Sequence, residues 1–411
     1  MEDKFKIHLF TPETTDTKSL REECAWLNRF LAAGLDMLHL RKPSNGREDT
    51  EEILKKIDSR FYNRIVLHDF PELAMKYGCG FQFNSRNPIQ SGSTVQGCNR
   101  FTDEQPGSLH DFSVRALSCH TLEECRNASG VDFVTLSPIF DSISKKGYKG
   151  ILDMAELKGE DLAGIIALGG VTLDSIDLLK ETGFSGAALL GDVWNKSDGK
   201  QLFLKFLRMR NFPLQFITDG KDVAETVTQA LKVIDGGGRW IQVRMKDADK
   251  AEVKEALQEL YPYCEENGVT LLVDDHYDLT DFCHGVHLGQ EDESVAAVRS
   301  LVSPEKIIGL TVNNVEQIHE SMEALPDYYG VGPFRMTTTK KRLAPVLGVE
   351  GYRRLAPEIK RPFVAIGGIK PDDIQSLLDA GAAGIALSSC ITRAENPSEE
   401  TTKILNIIYG K

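Results

Sequence analysis

Residues 165–191 read "IIALGGVTLDSIDLLKETGFSGAALLG", and residues 363–389 read "FVAIGGIKPDDIQSLLDAGAAGIALSS". Each stretch runs from a short apolar segment through a glycine pair and an amphipathic segment to a second apolar run. That order predicts strand, tight turn, helix and strand. The likeness extends upstream. "FVTLSPIFDSISKKGYKG" (133–150) resembles "YYGVGPFRMTTTKKRLAPVLG" (328–348), "LHLRKP" (38–43) pairs with "IQVRMK" (241–246), and "VLHD" (66–69) pairs with "LVDD" (272–275). The order is preserved and the spacing drifts by only a few residues, which marks a tandem duplication with loop insertions.

Within each half, apolar runs alternate with helical patterns such as "AETVTQALKVID" (224–235) and "PDDIQSLLDAG" (371–381). Strands are predicted near 6–12, 37–42, 64–69, 80–84, 115–120, 133–138, 164–170 and 186–191. The second half repeats them near 213–219, 239–246, 270–276, 285–290, 307–312, 328–333, 362–368 and 384–389. Eight βα units in roughly 200 residues point to an α/β fold of two tandem (β/α)8 TIM barrels. A doubly wound open sheet is the alternative, and the late glycine pair of each half favours closure. The boundary is placed in "NKSDGKQLFLKFLRMRNFP" (195–213), giving domains at 1–205 and 212–411.

Composition sets the class. Hydrophobic residues are 41% and charged residues 27% of the 411, as in soluble globular enzymes. No run of about 18 apolar residues occurs, so no membrane span is expected. The start "MEDKFKIHLF" lacks the long apolar region of a signal peptide, which favours a cytoplasmic protein. The 8 cysteines form no CxxC pair and read as free thiols. A net charge of −13 argues against nucleic acid as a partner, yet leaves room for a small anionic substrate in a locally basic or metal-bridged pocket. The oligomeric state is left open.

Active sites of such barrels gather at the C-terminal strand ends. In the second half those ends carry Gln242, Arg244 and Lys246, then Asp274 and Asp275, then Gln290 and Asp292, then Thr311. They continue with Thr337, Thr339 and Lys340, then Gly367 and Gly368, and finally Ser388 and Ser389. Asp275 and Asp292 offer hard oxygen ligands to Mg2+. Arg244, Lys246 and Lys340 supply cations for a diphosphate. Gly368 with Ser388 and Ser389 can present backbone N–H and hydroxyl groups to a phosphate. Two anion sites, one with a metal, point to joining a phosphorylated molecule to a diphosphate-activated one. Taken singly, each element also reads as an ordinary loop, cap or strand face.

With these motifs in order, the second half resembles thiamine phosphate synthase over nearly its whole length. The carriers are "FITD" (216–219), "QVRMK" (242–246), "VDDHYDL" (273–279), "GVHLGQED" (285–292), "GLTV" (309–312), "GPFRMTTTK" (332–340), "AIGGI" (365–369) and "GIALSS" (384–389). The resemblance implies a transferase of thiamine biosynthesis. It condenses 4-amino-2-methylpyrimidine-5-methyl diphosphate with thiazole phosphate, or its carboxylate form, to thiamine phosphate and pyrophosphate. It further implies that Gln242, Arg244, Lys246, Asp274, Thr311 and Lys340 hold the pyrimidine diphosphate, with Arg244, Thr311 and Lys340 taking part in catalysis. Thr337, Thr338, Thr339, Gly368, Ser388 and Ser389 would hold the thiazole phosphate, and Asp275 and Asp292 the Mg2+. Asp274 stands where the family usually has Asn, and Thr311 where Ser is common.

The first half departs from this pattern. His39 replaces Gln242, Arg41 is kept, Pro43 replaces Lys246, and Asp69 is retained, while "GFQFNSRN" (80–87) has no counterpart of Asp292. Its "SCHTLEEC" (118–125) resembles the sister thiazole tautomerases, which implies His120 as a catalytic proton-transfer group. Arg41, Lys145, Gly169, Gly170 and the 186–191 segment would then hold a carboxylate and a phosphate. The alternative is a non-catalytic scaffold or a thiazole-phosphate-binding regulatory module. Two rivals apply to the whole chain. A pure sensor of thiazole phosphate has no use for Asp275, Asp292 and Lys340. A phosphate-handling isomerase barrel leaves the QxRxK strand unexplained.

Overall fold

The computed structural model describes residues 5–13, 19–84, 112–141, 157, 159–210, 213–324, 326–336 and 345–411. Two closed barrels of parallel strands follow one another along the chain. The first comprises β1 (Lys6–Phe10), β2 (Met37–Leu40), β3 (Ile65–Leu67), β4 (Gly80–Phe83), β5 (Arg115–Cys119), β6 (Phe133–Leu136), β7 (Ile165–Leu168) and β8 (Gly186–Leu189). It closes where β8 pairs back onto β1, Gly186 beside Lys6. The second comprises β9 (Leu214–Ile217), β10 (Trp240–Val243), β11 (Thr270–Asp274), β12 (Gly285–Leu288), β13 (Ile307–Val312), β14 (Tyr328–Val331), β15 (Phe363–Ile366) and β16 (Gly384–Leu387). There Ile385 of β16 meets Leu214 of β9. By contact density the chain divides into Met1–Leu31 with Leu35–Phe203, and Ala32–Gly34 with Leu204–Lys411.

Parallel strands covered on both faces are expected to be largely apolar, and half of these strands are buried at every position, the others at all but a few. In the second barrel the outward residues, such as Ile241, Val243, Leu271 and Val273, pack beneath the helices. Inside lies a separate plug of Ile217, Trp240, Leu272, Ile307, Tyr328, Val364 and Ala386. The helix Val223–Asp235 starts where the Asp222 carboxylate accepts the Glu225 N–H, and Lys250–Glu266 starts on an Asp249/Glu252 capping box. The helix expected over 371–381 begins instead as a 3-10 turn, Pro371–Asp373, and becomes α-helical only at Ile374–Asp379. The cysteines among the described residues are free, and no helix there is long and apolar enough to cross a membrane.

Both glycine pairs adopt the left-handed region, with φ of 93° and 67° at Gly169 and Gly170 and 98° and 68° at Gly367 and Gly368. A side chain at Gly367 would meet Pro333 at 2.8 Å, and one at Gly169 would meet Pro138 at the same distance. Only glycine provides both that backbone and that close approach, so the repeated motif is repeated geometry.

Candidate active site at the rim of the second barrel

Strand β10 stops at Val243, short of the expected end at 246. The cause is local: the Thr218 hydroxyl takes the place of a ladder partner, accepting the Arg244 N–H at 2.9 Å and donating to the Arg244 carbonyl at 3.0 Å. Gln242 therefore points into the barrel and is buried, Arg244 sits half-buried at the rim, and Lys246 is exposed in the following turn. Lys246 makes no ion pair among the described residues. The three residues do not share one strand face.

Gln242, Asp274 and Arg244 meet. The Gln242 amide donates to Asp274 Oδ1 at 2.5 Å, and Arg244 Nε lies 3.0 Å from Asp274 Oδ2. Behind them runs a polar chain that sequence reading missed. Gln215 on β9 donates to Gln242 Oε1 at 2.9 Å and to the Tyr328 hydroxyl at 2.8 Å. Tyr328 meets His287 Nδ1 at 2.8 Å, and His287 Nε2 meets the Thr311 hydroxyl at 2.9 Å. The carboxylate of Asp274 only accepts, so every direction follows from it. Both amide hydrogens of Gln215 point outward, the Tyr328 proton goes to His287 Nδ1, and His287 Nε2–H donates to Thr311. Gly309 makes room: a side chain there would reach Tyr328 at 2.3 Å and His287 at 2.5 Å.

Asp275 has φ of 63°, a strained value for a side-chain-bearing residue. Its N–H is held by the His287 carbonyl at 2.9 Å. Burial first, then the carboxylates of Asp274 and Asp292, push its carboxyl up to about 7, although one side stays open to solvent. Asp292 is exposed, with Oδ2 accepting the Gly289 N–H at 2.5 Å. Gln290 is pinned to the Thr311 carbonyl at 2.5 Å. The raised Asp275 carboxyl, crowded by two neighbouring carboxylates, is a donor that suits a hard cation. No group of three His, Cys, Asp or Glu converges among the described residues. A metal here would rest on two carboxylates, with the remaining oxygens coming from substrate.

Gly368 is exposed in its left-handed turn, Ser388 follows β16 as the N-cap residue, and Ser389 opens the helix Ser389–Thr392. Thr337, Thr338, Thr339, Lys340 and Lys145 lie outside the described residues. A cavity of about 430 Å³ lined by Asp222, Glu225, Gln229 and Lys232 shares none of the rim residues.

In the first barrel the same positions hold other groups. Arg41 is bound to Glu13 at 2.7 Å. Asp69 lacks the strain of Asp275, and the positive φ falls on Phe70. His120 is exposed just past β5, with Nδ1 2.9 Å from the Ser137 carbonyl. That carbonyl fixes the proton on Nδ1 and leaves Nε2 as a base.

The profile of a family described as "Thiamine monophosphate synthase" matches residues 113–193 and 214–391, more than half of the chain. A thiamine-phosphate synthase of Bacteroides thetaiotaomicron is 46% identical over 201 residues, spanning 47% of this chain and 96% of that protein. One of Phocaeicola vulgatus is 45% identical over 201 residues, with 47% and 97% covered. A solved thiamine phosphate pyrophosphorylase of Pyrococcus furiosus aligns at 30% identity and a TM-score of 0.44 over 49% of this chain and 96% of that one. The chain thus belongs to the thiamine monophosphate synthase family, with a match in each of its two barrels.

Proposed function

We propose that the second barrel, within residues 212–411, condenses the pyrimidine diphosphate with thiazole phosphate and releases thiamine phosphate and pyrophosphate. The observation that carries this reading is the rim itself, where the Gln242–Asp274–Arg244 chain stands beside strained Asp275 and Asp292. Asp274 holds Arg244 by its Nε, so the rest of the guanidinium is oriented for diphosphate oxygens. Gln242 and Thr311, fixed by the interior chain, position the pyrimidine. Asp275 and Asp292 hold Mg2+, which supplies charge neutralisation for the departing pyrophosphate. Lys340 adds a cation, and Gly368, Ser388 and Ser389 with Thr337, Thr338 and Thr339 receive the thiazole phosphate. The thiazole nitrogen then attacks the methylene, and no protein nucleophile takes part.

The test is thiamine phosphate formation by the full chain with both substrates and Mg2+. Asp275→Ala and Asp292→Ala lower turnover at limiting Mg2+ by about 100-fold or more. Near-normal rates in both would remove the metal assignment.

A second reading concerns the first barrel, within residues 1–205. The His120–Ser137 contact leaves Nε2 free to accept a proton, which favours tautomerisation of a thiazole carboxylate phosphate over a bare scaffold. Unchanged tautomerisation in His120→Ala would sink it.

A further inference from the structure

The stretch GPFRMTTTK (332–340) holds a cation, Arg335, that has no task in the reading above. Arg335 follows β14 and is tied to the glycine turn after β15. Its backbone N–H donates to the Gly367 carbonyl at 2.9 Å. Its Nη1 donates to the Gly368 carbonyl at 3.1 Å and to Asp373 Oδ2 at 2.5 Å, and its Nη2 donates to Asp373 Oδ1 at 2.7 Å. The guanidinium is a fork closed on one carboxylate, with a hydrogen left for a carbonyl. The hydrogen bond between them holds Asp373 below the usual carboxylate range and Arg335 above its own. Arg335 is 43% exposed, and surface ion pairs add little stability, so what this one orients matters more than its strength.

It orients two peptide planes. In a trans peptide the N–H points opposite to the C=O. Both carbonyls of the turn are drawn to Arg335, so the N–H groups of Gly368 and Ile369 point away from it. Neither finds a backbone acceptor among the described residues. The guanidinium on the Gly368 carbonyl also polarises that peptide and makes the Ile369 N–H a better donor.

The first barrel shows that the turn folds without this fork. There Phe140 stands for Arg335 and Ser175 for Asp373, so both members are replaced together. The backbone is the same: the Phe140 N–H donates to the Gly169 carbonyl at 2.9 Å, and Gly169 and Gly170 keep the positive φ values. The capping duty is also met. Ser175 Oγ accepts the Thr172 N–H at 3.0 Å, as Asp373 Oδ2 accepts the Lys370 N–H at 2.9 Å. What the second barrel adds is the hold on the Gly368 carbonyl.

We propose that Arg335, locked by Asp373, is a positioning residue that aims the Gly368 and Ile369 N–H groups at the phosphate of the thiazole substrate. Because Asp373 neutralises the guanidinium, the phosphate meets oriented peptide donors rather than the cation itself. Arg335 and Asp373 touch neither substrate nor the reacting atoms.

This assignment rests on the condensation reading of the second barrel, and its test separates the two. The full chain is compared with Asp373→Ser, which keeps the cap as Ser175 does, and with Arg335→Gln. Thiazole phosphate binding is measured by calorimetry, and thiamine phosphate formation by initial rates. Each variant weakens thiazole phosphate binding and raises its KM about 10-fold. The kcat and the KM for the pyrimidine diphosphate stay within about 2-fold, because a phosphate held equally in ground and transition states affects binding alone. The double variant is no worse than either single one within about 2-fold, as for two residues acting as a unit. Arg335→Lys keeps the charge but not the fork, and matches Arg335→Gln. Unchanged or tighter thiazole phosphate binding in Asp373→Ser overturns the proposal, as does parent-like binding in Arg335→Lys, which would mean a direct charge contact. A fall in kcat with unchanged KM and a lowered urea midpoint would make the pair merely structural, and overturns it too. Weakened binding in variants of a parent that forms no thiamine phosphate keeps the positioning role and overturns the condensation reading. A parent that binds no thiazole phosphate overturns both.

Discussion

Tyr328 joins the two halves of the interior chain, because its hydroxyl accepts from Gln215 and donates to His287. Its ring also packs on Trp240, centroids 5.4 Å apart, so the hydroxyl has little freedom to move. Tyr328→Phe keeps the ring and removes the link. Gln215 loses one acceptor and His287 its proton donor in a buried setting. Imperfect satisfaction of this kind costs about 1–3 kcal/mol, read as a lowered urea midpoint for the second barrel. Because the aim of the Thr311 hydroxyl depends on His287, kcat for thiamine phosphate falls more than KM rises. Equal stability and equal kcat would show that the chain is passive. The first barrel has Phe133 at this position, and there Gln82 donates to Ser118 at 3.1 Å with no aromatic hydroxyl behind it.

Elements were easier to read than their insides. The glycine pairs, strand order and capping aspartates are local patterns, and the sixteen strands lie where alternating apolar and amphipathic runs place them. Gln215, His287 and Tyr328 were not legible as site residues. Each sits in a strand buried on both faces, where alternation cannot say which side is the interior. The same ambiguity let Lys246 be read as part of β10, when a threonine side chain ends that strand at Val243. His284, just before β12, was also unread. Its Nδ1 accepts the Leu271 N–H at 2.8 Å and its Nε2 meets Glu265 at 2.7 Å, so the ring is neutral. Burial, and then Arg208, lower its pKa to about 3. Between pH 3 and the unfolded value near 6.5, the unfolded chain binds more protons than the folded one. Stability from this group is therefore complete above 6.5 and lost as pH falls toward 3. His284→Gln flattens the fall in urea stability of the second barrel between pH 6.5 and 5. An unchanged slope would assign the acid sensitivity elsewhere.

At the scale of the whole molecule, two barrels with one ancestral pattern hold different chemistry at equivalent rims. The second has Asp274 on Arg244, a strained Asp275 and a nearby Asp292. The first has His68 for Asp274, Glu13 on Arg41, an unstrained Asp69, and no carboxylate within 80–87 to match Asp292. Restoring one residue would not rebuild the proposed diphosphate site in the first barrel, since the counterparts of Asp292, of the amide chain and of Lys246 are all replaced together. The full chain should therefore form thiamine phosphate at one rim. Asp292→Ala removes that activity with no residual share from the first barrel, and Arg41→Ala leaves it within about 2-fold of the parent, because Arg41 serves a separate rim. The check is initial rates of thiamine phosphate formation for both variants, at limiting and saturating Mg2+. A loss in Arg41→Ala as deep as that in Asp292→Ala would mean that the first barrel's rim serves the condensation, and the division of labour between the barrels would fall.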